Sequence, residues 1–372
     1  MPPHPNPLPN GERERAEILV IAMKRRFAFA VPGDLDTPTG GYAYDRRMIA
    51  ELDRLGWHAD VVDLGKKFPR PSAADRVAAR ARLAAVPADR CIVIDGLALG
   101  VLPNEAVTLR ESHRLVALVH HPLALETGLS SAEAEAMGAS ERAALACVRH
   151  VIVTSAVTAR ALVADYAVLP ERVTVALPGI DPVAPAHNSQ DGMVALLSVG
   201  ALVPRKGYDV LLTALATIRD LPWRLTIAGA RDRSPATTAA IEAQIVALDL
   251  GGRVTLAGAV ADARLTELYR EADLFVLASR HEGYGMALAQ AIAHGVPVIA
   301  TTAGAIPETV PPGAGILVPP DDAAALTAAL RRVIADGEER LCLAKQARAA
   351  AGKLPRWADS AKIFASVLEA VT

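Results

Sequence analysis

Val194-Ala195-Leu196-Leu197-Ser198-Val199-Gly200-Ala201-Leu202-Val203-Pro204-Arg205-Lys206-Gly207 is the stretch that decides how the rest of the chain reads. Its first six residues are almost all apolar and do not alternate with polar ones, as suits a strand buried on both faces. Gly200 ends the run and Pro204 keeps it from resuming. A helical pattern over 207–219 follows, and then another apolar run, Arg224–Ala228. Strand, glycine-containing loop, helix and strand make a βαβ unit, whose two strands run parallel.

The same alternation extends in both directions. Downstream, strands are expected at Arg253–Leu256, Leu274–Leu277, Pro297–Ala300 and Gly315–Val318, with helices over 236–249, 284–294 and 323–335. Upstream, they are expected at Phe27–Val31, Ala59–Leu64, Cys91–Asp95, Arg114–His120 and His150–Thr154. Tyr44, Met48, Leu52 and Leu55 share one helical face, and the Ala-rich segments 75–85 and 133–148 favour helix. The fold class is therefore α/β, two Rossmann-like domains facing a cleft, with ligands outside the carboxyl ends of the strands. Pro182 to Gly192, polar and proline-containing, reads as the linker. The expected division is a Pro-rich tail over 1–22, an N-terminal Rossmann-like domain over 23–186, a C-terminal Rossmann-like domain over 187–354, and a helix over 355–372 returning toward the first domain.

Length and composition agree with two domains: 372 residues, 52% hydrophobic and 22% charged, enough apolar material for real cores. The formal net charge of −2 argues against nucleic acid as a partner, because phosphate neutralisation needs clustered cations. Cys91, Cys147 and Cys342 form no CxxC pair and have no zinc-like His spacing, so they read as reduced thiols of a cytoplasmic protein. The most apolar stretch, Cys91 to Leu109, is interrupted by Asp95, Pro103 and Glu105, which argues against a membrane span. Pro2, Pro3, Pro5, Pro7 and Pro9 crowd the start, and Gly11 to Glu17 is charged; this is not a signal-peptide pattern, and 1 to about 22 is expected to be disordered, with Met23 the better start.

Five loops carry chemistry. The first strand leads through Asp34-Leu35-Asp36 to Gly40-Gly41, where a helix begins; backbone amides there can meet an anion, although a plain strand-to-helix turn reads equally well. It is not GxGxxG, and Asp34-Leu35-Asp36 is too short a match to a metal-holding D-x-D, so no metal is expected. His120-His121-Pro122 ends a strand at the cleft. Arg205-Lys206-Gly207 places two cations where a helix opens, a diphosphate site by chemistry, with a solvated basic turn as the alternative. Ser279-Arg280-His281-Glu282-Gly283-Tyr284-Gly285-Met286 offers backbone amides and a carboxylate that accepts from hydroxyls, and Gly304-Ala305-Ile306-Pro307-Glu308 repeats that pairing. Three such loops at successive strand ends in one half point to a nucleotide-sugar pocket.

With these loops and Leu177-Pro178-Gly179-Ile180-Asp181 as the interdomain entry, the chain from Phe27 to Val371 resembles the retaining glycosyltransferases of the large family-4 type, which have the GT-B fold. Where that family carries two glutamates separated by seven residues, this chain has Glu282 and then Gln290. The resemblance implies a retaining hexosyltransferase that moves a sugar from a nucleotide sugar to an acceptor hydroxyl without a metal or other cofactor, with 23–186 the acceptor-side domain and 187–354 the nucleotide-sugar domain. Arg205, Lys206 and the Gly40-Gly41 amides would meet the diphosphate, whose charge grows in the transition state. Glu282 would bind the donor sugar's hydroxyls, with Gly283, Tyr284, Gly285, Met286 and Glu308 around it. His120 would be the catalytic residue of the first domain, with His121 behind it, and Gln290 would take the ribose position. Replacing Lys206 or Glu282 by Ala is expected to abolish transfer and leave the fold intact.

The base, the sugar and the acceptor (a glycan, a lipid-linked sugar or a small molecule) stay open. Glu126-Thr127-Gly128 reads as an acceptor contact or a solvated loop. Arg46, Arg47 and Arg54 on one helix and Arg76, Arg80 and Arg82 on the next offer a face for anionic lipid, hence a peripheral contact at the inner membrane face, or simply a solvated surface. The rival readings are a sugar-nucleotide epimerase of similar fold and a non-catalytic nucleotide-sugar-binding protein.

Overall fold

The structure, a computed structural model, describes residues 25–126, 128–186 and 192–372. The expectations for the Pro-rich tail, for Met23, for Thr127 and for residues 187–191 of the linker lie outside those residues. In the first half the order is β1 (Arg25–Val31), α1 (Gly40–Arg54), β2 (Trp57–Asp63), α2 (Ala73–Ala84), β3 (Cys91–Asp95), α3 (Gly96–Leu99), α4 (Pro103–Leu109), β4 (Arg114–Val119), α5 (Ser131–Leu145), β5 (His150–Val153), α6 (Ala156–Asp165) and β6 (Val173–Val175). The second half runs β7 (Val194–Val199), α7 (Tyr208–Ala216), β8 (Trp223–Ala228), α8 (Pro235–Ala247), β9 (Val254–Gly258), α9 (Asp262–Glu271), β10 (Leu274–Leu277), α10 (Met286–Ala293), β11 (Val298–Thr301), α11 (Ile306–Thr309), β12 (Gly315–Val318), α12 (Ala323–Ala335) and α13 (Gly337–Ala351). The last helix is α14 (Trp357–Val371). β6 escaped the sequence reading because three residues are too few for a periodicity to show.

The strands form two six-stranded parallel sheets, ordered β2-β1-β3-β4-β5-β6 and β12-β11-β10-β7-β8-β9. Both are buried on both faces. Along β1, Phe27, Phe29 and Val31 enter one core and Ala28 and Ala30 the other, which is why the strands show apolar runs instead of alternation. The strand order reverses between β1 and β3 in the first sheet and between β7 and β10 in the second. Such switch points open a crevice at the carboxyl ends of the strands. The loops that border the two crevices are the ones singled out above: Gly40-Gly41 after β1, Gly200 to Gly207 after β7, and Ser279 to Gly285 after β10.

The chain crosses between the halves twice, and the two crossings lie side by side. The Ile180 amide donates to the Pro355 carbonyl oxygen at 2.8 Å, and Ser360 Oγ donates to that of Leu177 at 2.6 Å. Trp357, Ala361, Phe364 and Leu368 of α14 then join Phe27, Tyr44, Met48 and Leu52 in the core of the first sheet. The carboxyl edges of the two sheets meet: a Cβ added at Gly283 would lie 2.3 Å from the His120 carbonyl oxygen, so only glycine permits this approach of second half to first.

Candidate active site

Arg205 and Lys206 do not open a helix, as the sequence implied. They sit on a 3-10 turn, Pro204–Lys206, and Gly207 follows in the left-handed region at φ 63° before α7 starts. A side chain at 207 would strike the Ala278 carbonyl oxygen, its Cβ only 2.0 Å away, so glycine is required to bring this turn against the end of β10. The result is an ion cluster. Lys206 Nζ donates to Glu282 Oε1 at 2.7 Å, Arg205 lies 3.3 Å from Glu282 Oε2, and Ser279 Oγ donates to Oε1 at 2.6 Å. Arg205 also donates to the His281 carbonyl oxygen at 2.7 Å.

Glu282 is only 6% exposed. Burial alone would raise its pKa, but the charges of Lys206 and Arg205 and the hydrogen bonds hold it down to about 2. The expectation that Lys206→Ala or Glu282→Ala leaves the fold intact thus carries a cost in stability: Glu282 is buried and Lys206 partly so, and removing either takes an opposite charge from the other.

The first half presents His120 and His121. His120 follows β4; Nε2 lies 3.2 Å from Asp45 Oδ1 on α1 and 3.7 Å from Asp95 Oδ2 at the end of β3. Its ring meets that of Tyr44 edge-on at 5.4 Å, and a Cβ at Gly41 would lie 3.3 Å from its Cδ2, so Gly41 lets the imidazole rest on the start of α1. Gly40 and Gly41 are the first two residues of that helix, whose amides have no intrahelical acceptor. A Cβ at Gly40 would meet Met286 Sδ of the second half at 4.0 Å. His121 Nε2 contacts Glu126 Oε1 at 2.5 Å. Burial opposes ionisation of Glu126, yet His121 and Arg205 pull its pKa down to about 2. The His281 ring lies 5.8 Å from that of His121, its Nε2 is buried without a partner, and burial with the charges of His121 and Arg205 pushes it down to about 4.

The structure thus brings together Gly40, Gly41, His120, His121, Arg205, Lys206, Glu282, Gly283 and Met286. Tyr284 differs: its side chain is buried in the second-half core, where burial pushes the phenol up to about 12, so only its backbone lines the loop. Gly285 takes φ 96° and caps α10. Gln290 sits half-buried on α10, and its side-chain amide has no partner among the described residues. Glu308 stands apart, its carboxylate paired with Arg160 across the seam.

Asp45 and Asp95 were missed as site residues. Asp95 closes an apolar strand at its carboxyl end, a readable signal; Asp45 lies beside the apolar face of α1 and had none. With His120 they form, among the described residues, the one group of carboxylate and imidazole atoms converging within 4.8 Å. Nε2 of His120 lies within hydrogen-bond distance of Asp45 Oδ1, so a cation there would compete with a proton between them.

The arginines of the supposed lipid-facing surface have internal partners: Arg46 bonds the Leu35 carbonyl oxygen, Arg47 pairs with Asp181, Arg54 with Glu51, and Arg76 and Arg82 bond the carbonyl oxygens of Val101 and Asp63. Arg80 makes no such contact and is exposed. No helix of the described residues is long and apolar enough to cross a membrane.

Residues 181–350 match the family model described as Glycosyl transferases group 1. Mannosylfructose-phosphate synthase of Agrobacterium fabrum is 32% identical over 42% of this chain; the alignment spans only 38% of that protein. MMP alpha-(1->4)-mannosyltransferase of Mycolicibacterium hassiacum is 27% identical over 81% of this chain and 75% of its own length. Among solved structures, sucrose-phosphate synthase from Thermosynechococcus elongatus superposes with a TM-score of 0.79 at 23% identity, covering 94% of this chain and 99% of that one. Over residues 181–350 the chain therefore carries a Glycosyl transferases group 1 domain, within a two-sheet molecule of the GT-B glycosyltransferase fold.

Proposed function

We propose that this protein is a retaining hexosyltransferase that moves a sugar from a nucleotide sugar to an acceptor hydroxyl without a metal. The observation that carries the reading is the buried Arg205–Lys206–Glu282 cluster facing His120 and the Gly40-Gly41 helix start across the seam. Two cations and unpaired backbone amides suit a leaving diphosphate, which gains charge as the glycosidic bond breaks. Glu282 suits sugar hydroxyls, which donate to it. Closure of the halves keeps water from the donor. The acceptor would enter from the first half, beside His121 and Glu126. The mannosyltransferase name of one relative supports the reading, and the names of two other proteins, mannosylfructose-phosphate synthase and sucrose-phosphate synthase, make phosphorylated sugars the first acceptors to try.

A thermal-shift panel of UDP-, GDP-, ADP- and TDP-sugars identifies the donor, because a ligand bound only by the native state raises apparent stability. Product analysis with that donor and an acceptor panel then tests transfer. Sugar interconversion without acceptor would make the protein an epimerase, and tight binding with neither transfer nor hydrolysis would make it a binding protein.

A further inference from the structure

Two buried carboxylates converge on one side of His120. Asp45 is fully buried; one of its oxygens lies 3.2 Å from His120 Nε2, and the other, Oδ2, is buried with no hydrogen-bond partner among the described residues. Asp95 is 4% exposed and spends Oδ1 on the Leu97 amide at 2.7 Å. No Lys or Arg pairs with either carboxylate among the described residues. From α1, the Tyr42 hydroxyl lies near enough to feel both carboxylates, but donates to the Pro32 carbonyl oxygen at 2.5 Å and brings them no proton. The Thr154 hydroxyl holds the His120 backbone, donating to its carbonyl oxygen at 3.2 Å, and Gly283 covers it from the second half. Beyond Gly283, Arg205, Lys206 and Glu282 are occupied with one another, and on the other side of His120 the imidazole of His121 faces Glu126.

We propose that Asp45 is a positioning residue: it accepts the Nε2 proton of His120 and holds the ring as an imidazolium. Nδ1, which has no protein partner among the described residues, then presents an N–H to the bound donor instead of a lone pair. The proton count is consistent. Two carboxylates beside one imidazole do not both ionise cheaply away from water. Burial and the charge of Asp45 push Asp95 up to about 7, so it keeps a proton through the acidic side of neutrality. Asp45 and His120 then form one ion pair without net charge. Burial works against the imidazolium, but the attraction and hydrogen bond of Asp45, with a smaller attraction from Asp95, together outweigh it and raise the His120 pKa above the ordinary value. With Nε2–H aimed at a carboxylate, Nδ1 is a donor when the ring is charged and an acceptor when it is neutral. Asp45 therefore decides which of the two a sugar or phosphate oxygen meets.

The consequence for catalysis rests on the transferase reading; the pairing itself does not, and the test separates them. Two-bond 1H–15N spectra of the full chain with labelled histidine, recorded from about pH 5 to pH 9, report the protonation and tautomer of His120, assigned by loss of its signal in His120→Gln. The wild-type midpoint should lie above the ordinary ~6.5, with Nε2 protonated throughout. Asp45→Asn should drop it below that value, since the ring stays buried and the counter-charge is gone; Asp45→Glu should restore much of it; Asp95→Asn should leave the ring charged. A wild-type midpoint below ~6.5 overturns the proposal, whether or not Asp45→Asn folds. So does an unchanged midpoint in Asp45→Asn, or a larger fall in Asp95→Asn. Once a donor is known, the high-pH limb of the transfer rate should move to lower pH in Asp45→Asn; a rate lowered equally at every pH would mean a merely structural Asp45. A shifted midpoint in a protein that transfers nothing would overturn the enzyme reading and keep the pairing.

Discussion

Replacing Glu282 by Gln removes one charge from the centre of the site at nearly constant shape, and the structure sets what this costs. The carboxylate lies 2.7 Å from Lys206 and 3.3 Å from Arg205 and is 6% exposed. Its pKa falls from 4.5 to about 2, a difference of 2.5, which at 1.36 kcal/mol for each pH unit makes the ionised form about 3 kcal/mol better held than the neutral one. A depressed folded-state pKa gives stability that is complete above the unfolded value and is lost as pH falls through the folded one. Glu282→Gln, which imitates the protonated acid, should therefore cost about 3 kcal/mol at pH 7 and only about 1 kcal/mol by pH 3. Urea midpoints of both proteins at several pH values measure the difference. Equal stability at pH 7, or a loss that does not shrink toward pH 3, would refute the cluster. On the transferase reading the same variant loses sugar transfer, yet binds the nucleoside diphosphate product at least as tightly, because no carboxylate competes for the cations.

Three further outcomes are expected. Lys206→Met leaves Glu282 with Arg205 and Ser279 alone; it should cost about 3–5 kcal/mol and abolish calorimetrically measured donor binding, and wild-type affinity would remove Lys206 from the donor site. Phe364→Ala on α14 empties a fully buried position in the first-half core and should lower urea stability by about 3–5 kcal/mol; a negligible loss would mean that the helix does not complete that core. Because five of the six arginines on α1 and α2 have internal partners, anionic vesicles at low salt should sediment no more protein than neutral ones, and salt-sensitive retention would return the acceptor side to the membrane surface.

Much of the fold could be read from the sequence, because strands buried on both faces leave long apolar runs and the helices between them have their own period. Cys91–Asp95, Val194–Val199 and Gly315–Val318 coincide with the strands found. Val173–Val175 does not stand out, since its place at the sheet edge is fixed by pairing with β5, not by its own pattern. The site was half legible. Glycines that accompany charges at strand ends point to loops, so Arg205, Lys206 and Glu282 could be found, but not that they bind one another, because the approach depends on Gly207 fitting under Ala278. Asp45 was illegible: a helix-borne aspartate looks solvated until the strand end carrying His120 is laid over it. Tyr284 looked like a ligand residue because its glycine neighbours are in the loop, whereas the backbone turn at Gly285 sends the ring inward.

On the transferase reading, charge balance within the site favours a sugar nucleotide over a simple anion. Within the Arg205–Lys206–Glu282 cluster the two cations carry two positive charges and Glu282 returns one negative. One net positive charge remains, held in a chain whose formal total is −2, so the total reveals nothing of it. Inorganic phosphate could take the cations only by leaving the buried Glu282 carboxylate with Ser279 alone, a penalty of several kcal/mol. A nucleotide sugar brings a diphosphate to the cations and hydroxyls to Glu282 together, and so repairs the pairing it breaks. On that reading Glu282 serves selectivity as well as binding: it holds the two cations in place while no donor is present, and would yield them to a ligand that offers hydrogen-bond donors at the adjoining position.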